Sequence, residues 1–323
     1  MLKYSDTIQK IKTAIGKAEK ILIITHQKPD GDGLGAISAM ACYLSFLKKD
    51  YQLFCVDPVP ESNQFLPLIH QLTTDQSVFK QKFDLVIILD SGDLKYAGID
   101  ELIKGFGRQY TLINIDHHIT NRGYGDLNLV LADKSSVSEI IYDLFRFWQF
   151  SITKEVATAL LNGIIFDTGT FSNSATCLSA LEAASHLLNL GARHKEITES
   201  QLRNKSLGLL KLWGRAFERL TYNKEYDLVF TVVTQKDIEE CQAPQEGVEG
   251  ISNFLNDLSG AKIAMVLKEA PDGKVKGSLR TTHDDVDVSK LAKIWGGGGH
   301  QKAAGFSIEG KLIYKDDRWY IRQ

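Results

Sequence analysis

The sequence predicts an α/β protein: an N-terminal domain built on a doubly wound, mainly parallel sheet, then a smaller α+β C-terminal domain. Three observations carry this expectation. Short apolar runs alternate with helical patterns through the first half of the chain, as strands buried on both faces of a parallel sheet require. Three of those runs end directly in aspartate. Beyond about residue 225, short β segments and turn signals replace the helical periodicity. At 323 residues the chain also exceeds what one hydrophobic core usually organises.

The elements follow in order. ILIITH (21–26), YQLFCVD (51–57), DLVIILD (84–90) and YTLINID (110–116) read as strands, and Leu34 to Lys49 reads as a helix between the first two. Alternation of this kind gives βα units, whose ligands bind beyond the carboxyl ends of the strands. From Ser136 to Tyr222 apolar residues recur at three- and four-residue steps, a helical pattern. AKIAMVLKE (261–269) and GKVKGSLRT (273–281) flank Pro271-Asp272-Gly273, a hairpin signal. The expected boundaries are a first domain over 1–190, connecting helices over 191–224 and a second domain over 225–323.

Charge limits the ligand. With 38 basic residues against 40 acidic ones, the net charge is -2, whereas a protein gripping long nucleic acid carries a basic excess. A nucleic-acid ligand should therefore be short or held locally. The densest basic stretch, Arg203 to Arg219 with Lys205, Lys211 and Arg215, reads as a solvated helical face. The four cysteines (Cys42, Cys55, Cys177, Cys241) form no CxxC pair, so they suit a reducing compartment better than a zinc site. The first twenty residues form a charged amphipathic pattern without a signal-peptide core, and no apolar run approaches membrane-spanning length. The expectation is a cytoplasmic protein with no membrane partner; a homodimer is left open.

Four clusters carry chemistry. THQKPDGDGLG places His26, Asp30 and Asp32 after the first strand, where Pro29, Asp30 and Gly31 also suit an ordinary turn. ILDSGD ends the third strand in Asp90, with Asp93 suited to capping a following helix. INIDHHIT supplies Asp116, His117 and His118; an aspartate beside paired imidazoles can orient one of them toward a metal. NGIIFDTGTFS ends an apolar stretch in Asp167. His26, Asp30, Asp32, Asp90, His117 and Asp167 give four carboxylates, two imidazoles and no thiolate. That donor set suits Mn²⁺ or Mg²⁺ and exceeds the needs of one cation. Two cations sharing a carboxylate serve in-line displacement at phosphorus.

Two further features suggest substrate binding. Ser136-Val137-Ser138-Glu139 is a capping-box pattern whose exposed N–H groups can face a phosphate. GGGGH (296–300), with Gly297, Gly298, Gly299 and His300, lets backbone N–H groups approach a phosphate, and Arg280 can add a bidentate contact.

Together these motifs resemble the DHH phosphoesterase superfamily with its C-terminal associated domain, in the nanoRNase/pAp phosphatase (NrnA-like) branch. The resemblance rests on HQKPDGD, Asp90, Asp116-His117-His118, FDTGTF and GGGGHQKAAG, in that order along nearly the whole chain. It implies His26, Asp30 and Asp90 on one cation, and Asp32, Asp90, His117 and Asp167 on the other, Mn²⁺ before Mg²⁺. It further implies His118 near the scissile phosphate, Asp116 in support, and Arg280 and His300 on the substrate across a cleft from the metals. Thr281 stands where the family pattern expects serine. The implied reaction is metal-dependent hydrolysis of short RNA or DNA oligonucleotides to mononucleotides, and of pAp to AMP. The alternatives are a RecJ-like single-strand exonuclease, a cyclic or linear dinucleotide phosphodiesterase, an inorganic pyrophosphatase, and a nucleotide-binding regulator without catalysis.

Overall fold

A computed structural model describes residues 2–107, 109–202, 206–255, 258, 260–316 and 318–322. The chain divides into two compact units, Met1–Asn204 and Lys205–Gln323. Arg203 and Lys205, part of the basic stretch read from the sequence, lie outside the described residues.

The first unit holds a six-stranded parallel sheet: β1 (Lys20–Thr25), β2 (Asp50–Phe54), β3 (Leu72–Thr73), β4 (Leu85–Leu89), β5 (Thr111–Asp116) and β6 (Leu127–Val130), in the order β3-β2-β1-β4-β5-β6. The four strands expected from apolar runs are β1, β2, β4 and β5; β3 and β6 were too short to show in the pattern. Strand alternation sends Ile21, Ile23, Ile87 and Ile113 into one apolar cluster and Leu22, Ile24, Val86 and Leu112 into another. Burial on both faces is why these strands read as unbroken apolar runs.

Helices α1 (Ser5–Lys17), α2 (Gly31–Phe46), α4 (Val137–Phe147), α5 (Lys154–Asp167), α6 (Leu178–Asn189) and α7 (His194–Leu202) supply the larger cluster; α3 (Asp100–Lys104) and irregular segments cover the opposite face. The doubly wound sheet is therefore thickly covered on one side and thinly on the other. The helix α2 begins at Gly31, inside a segment that reads as a turn, because the Asp30 carboxylate caps it through the N–H groups of Asp32 and Gly33. Within the first unit Ile197 is buried in the core, and the Arg193 N–H donates to Thr158 Oγ1 at 3.0 Å.

The second unit contains α8 (Leu207–Glu218), β7 (Thr221–Asn223), β8 (Leu228–Val233), α9 (Gln235–Cys241), α10 (Glu249–Phe254), β9 (Ile263–Glu269), β10 (Lys274–Arg280), α11 (Val288–Ile294), β11 (Gly298–Gly299) and β12 (Ala303–Glu309). Its mixed sheet runs β11-β12-β10-β9-β8-β7, and only β8 and β9 pair in parallel. The hairpin expected around Gly273 is β9–β10, and Gly273 takes φ +79° in its turn. A separate two-stranded ribbon, β13 (Lys311–Lys315) and β14 (Arg318–Arg322), ends the chain. Among the described residues, no helix is long and apolar enough to cross a membrane.

Candidate metal centre

The strand order reverses beside β1, because β2 and β3 lie to one side and β4 to β6 to the other. At such a switch point the carboxyl ends of neighbouring strands splay and open a crevice. Here β1 delivers His26, β4 delivers Asp90, and β5 delivers Asp116, His117 and His118. The start of α2 adds Asp30 and Asp32, and the last residue of α5 adds Asp167. Residues spread over about half the chain thus converge on one side of the sheet.

His26 is held from behind, its Nδ1 2.7 Å from the Gln27 carbonyl, which leaves Nε2 facing Asp30 at 3.6 Å and Asp90 at 3.5 Å. Burial opposes charge on this ring, but the two facing carboxylates outweigh it and push the pKa up to about 12. Asp90 Oδ2 faces His26, while Oδ1 lies 3.7 Å from His117 Nε2. His117 Nε2 also lies 3.2 Å from Asp167 Oδ2. One carboxylate thus presents its two oxygens to two different donor sets.

Among the described residues, three groups of ligand atoms lie close enough to hold a metal: His26, Asp30 and Asp90; Asp32, His117 and Asp167; and Asp90, His117 and His118. Two observations show that these side chains fit a cation. Asp90 Oδ1 is fully buried without a hydrogen-bond partner, which is costly for a carboxylate unless something positive compensates it. Asp90 also takes φ +59°, a conformation that costs a non-glycine residue ~1–3 kcal/mol and that clusters at ligand sites. The electrostatics agree. Burial, then the charge of Asp32, raises the carboxyl of Asp167 to about 11. Burial, then Asp90, likewise lifts Asp32 well above the usual carboxylate range. Crowded carboxylates of this kind repel until a cation neutralises them.

Asp116 is fully buried and accepts from Asn121 Nδ2 at 2.6 Å, while its other oxygen lies 2.8 Å from His118 Nδ1. The orienting aspartate therefore serves His118 rather than His117. That hydrogen bond, more than burial opposes it, raises the pKa of His118 and favours the protonated ring. Asp93 caps no helix; its carboxylate accepts from the Tyr96 N–H at 2.6 Å inside an irregular turn.

The N-terminus of α4 is not open to a phosphate. Ser136 Oγ caps Glu139 at 3.0 Å, and the N–H groups of Val137 and Ser138 donate to Asp32 at 2.6 and 2.9 Å. The Glu139 carboxylate accepts from the N–H of Ser135, one residue earlier than a capping box would place it. The glycine run also has structural work. Gly296 takes φ +71° after α11; its N–H bonds Lys293 and that of Gly297 bonds Ala292, a helix-ending motif. The N–H of Gly297 is thus unavailable to a substrate. Gly298 and Gly299 form β11 against β12, and His300 closes the turn into β12 through Ala303. Arg280 ends β10 between Ala264 and Ala303.

A family model for the N-terminal domain of the DHH family matches residues 20–164, and one for the DHHA1 domain matches residues 229–316. The chain belongs to the DHH phosphoesterase family. A bifunctional oligoribonuclease and PAP phosphatase of Thermus thermophilus is 27% identical over 90% of this chain and 84% of its own length. The Bacillus subtilis protein of the same name is 26% identical over 90% of each. A solved exopolyphosphatase-related protein from Bacteroides fragilis shares the fold with a TM-score of 0.87, covering 95% of this chain and 92% of that one at 22% identity.

Around the candidate metal centre of this DHH phosphoesterase stand residues that no sequence motif marked. The Tyr96 ring stacks on His26, with centroids 5.1 Å apart and planes 16° apart. Asn121 bonds the Ser91 carbonyl, Asn114 and Asp116 together, and Tyr124 donates to the same carbonyl. Gly163 lets α5 approach closely: a β-carbon there would meet Ser138 Oγ and Asp32 Oδ1. Asn121 follows the Asp-His-His motif by three residues, a proximity that could have drawn notice. Tyr96 and Gly163 carried no such signal.

Proposed function

We propose that this chain is a two-cation phosphoesterase that cuts short oligonucleotides to mononucleotides and removes a phosphate from pAp. The carrying observation is Asp90, whose two oxygens face His26 on one side and His117 on the other. The names of the Thermus thermophilus and Bacillus subtilis relatives support the substrate class. His26, Asp30 and Asp90 would hold one cation, and Asp32, Asp90, His117 and Asp167 the other. Imidazole among hard oxygen donors favours Mn²⁺ over Mg²⁺. When bound, the cations supply charge neutralisation at phosphorus and activation of water.

The chain's own residues do the rest. His118, oriented through Nδ1 by Asp116, presents a proton at Nε2 to a phosphate oxygen or leaving group. Asn121 fixes Asp116 and therefore the tautomer of His118. Arg280 and His300 are assigned to substrate binding by the second unit. Four free cysteines fit a reducing, cytoplasmic location.

The test is hydrolysis, with Mn²⁺ and with chelator, of a panel of ribo-dinucleotide to pentanucleotide, a long single strand, pAp, a cyclic dinucleotide and pyrophosphate. Cleavage of the short strands and pAp, abolished by chelator, is expected. Activity confined to pyrophosphate or to long strands would overturn the proposal.

A further inference from the structure

The ribbon β13–β14 carries a face that neither the metal centre nor the glycine loop uses. Its register sets Lys311 opposite Arg322, Ile313 opposite Tyr320 and Lys315 opposite Arg318. Directly opposed residues share a face, so four cations bracket one aromatic ring there. On the alternate face Leu312 is buried and Trp319 and Ile321 pack against the second unit's core, while Tyr314 lies beside the Trp319 ring and stays 57% exposed. Lys311, Lys315, Arg318 and Arg322 are all exposed, and Tyr320 is 48% exposed. Among the described residues, no carboxylate pairs with any of the four cations. Asp316 sits in the turn between the strands without bridging either neighbour, and Asp317 lies outside the described residues.

Like charges directly opposite each other destabilise a strand pair. Two such pairs on one short ribbon form a local cationic patch inside a chain of net charge -2. We infer that this face binds a short single-stranded ribo-oligonucleotide, each cation pair holding a phosphate while the base between them stacks on Tyr320. Aromatic stacking flanked by backbone-tracking cations is the general arrangement for single-strand recognition. The four-residue separation of the pairs spans about 13 Å along a strand, room for a few nucleotides only. A membrane surface fits less well, since the face offers one exposed ring and one half-buried isoleucine instead of a broad apolar band. The inference rests on the oligonucleotide substrate class proposed above.

The test uses the full chain with a fluorescein-labelled pentaribonucleotide in chelator, so that no strand is cut. Anisotropy titrations at several salt concentrations give affinity and salt slope. Replacing Lys311, Lys315, Arg318 and Arg322 together by alanine should weaken binding roughly tenfold or more, and flatten the slope by about 1.4, two phosphates at about 0.7 each. Tyr320→Ala should weaken binding roughly fivefold or more at unchanged slope, and Tyr320→Trp should restore it. If the quadruple variant fails to fold, Lys315→Ala with Arg318→Ala should flatten the slope by about 0.7. Wild-type affinity and slope in a folded variant would overturn the inference. So would retained RNA binding alongside lost binding to phosphatidylserine vesicles, which would make the patch a membrane contact. Failure of the hydrolysis panel would sink the proposed activity while leaving the anisotropy result standing on its own.

Discussion

Asp32 Oδ2 accepts the backbone N–H of Val137 at 2.6 Å, and Oδ1 accepts that of Ser138 at 2.9 Å. An acid at the start of α2 therefore serves as the anchor for the start of α4, 105 residues away. A helix N-terminus attracts negative charge, so the first turn of α4 helps to hold a carboxylate that its neighbours disfavour.

Asp32→Ala should consequently cost stability as well as activity. It leaves two buried N–H groups unpaired, each worth about 1–3 kcal/mol. Asp32→Asn keeps one acceptor, so it should lose less stability than the alanine variant while losing turnover. Thermal melts of the metal-free proteins, run beside Mn²⁺-dependent hydrolysis, separate the two effects. Equal melting of the alanine variant and the wild type would show that the anchor contributes nothing.

The crowded acids make the metal-free protein sensitive to alkali. Asp167 titrates near 11 in the folded chain, against about 4 when unfolded. Its stabilising contribution is complete below the unfolded value and is lost as pH rises toward the folded one. His26, pushed up to about 12 from an ordinary value of 6.5, acts in the same direction. Metal-free wild type should thus lose stability from pH 6 to pH 9, and Asp167→Asn should lose less. One kcal/mol corresponds to about 2–4 °C in a unit of this size. A variant as pH-sensitive as the wild type would count against the cluster's repulsion.

Metal binding must displace those protons. Affinity for Mn²⁺ should rise with pH, and calorimetry in buffers of different ionisation enthalpy should register proton release. Release should shrink in Asp167→Asn, which carries no titrating proton at that position. Proton uptake on binding would contradict the site as described.

The second unit offers the opposite pH dependence. Asp237 lies 2.5 Å from Arg219 Nη1 and also accepts from Thr234. Burial opposes its charge, but Arg219 and the capping hydrogen bonds outweigh burial and hold its pKa well below the ordinary range. Its stabilisation is complete above the unfolded value near 4 and is lost progressively as pH falls from there through the much lower folded value. Asp237→Asn should destabilise this unit by about 1–3 kcal/mol at pH 7, and the difference from wild type should narrow steadily as the pH is lowered below 4. Tryptophan fluorescence reports on it, since Trp213, Trp295 and Trp319 belong to this unit.

Arg280→Ala should raise KM for oligonucleotides and pAp with a smaller effect on kcat, whereas His118→Ala should lower kcat. Removing one charge-assisted hydrogen bond to a phosphate costs about 1.5–3 kcal/mol, or roughly 10- to 150-fold. An unchanged KM for every cleaved substrate would remove Arg280 from the substrate site.

The sequence by itself determined the sheet of the first unit, because strands buried on both faces must be apolar throughout, and Ile21–Ile24 and Leu85–Leu89 read that way without context. It also marked Asp90, since an acid ending such a strand is costly unless compensated, and pointed to His26, His117 and Asp167 through the recurrence of polar clusters after apolar stretches. Local pattern did not reach the contacts that only folding makes. Which imidazole Asp116 serves depends on side-chain direction at the end of β5, and the partners of the Val137 and Ser138 N–H groups depend on a helix packed from far along the chain. The glycine run looked like a phosphate loop because composition reports flexibility; the structure shows that Gly296 and Gly297 spend their N–H groups on ending α11. The cationic face of β13–β14 was equally hidden, because pairing Lys311 with Arg322 and Lys315 with Arg318 is a matter of strand register, which a linear sequence does not display.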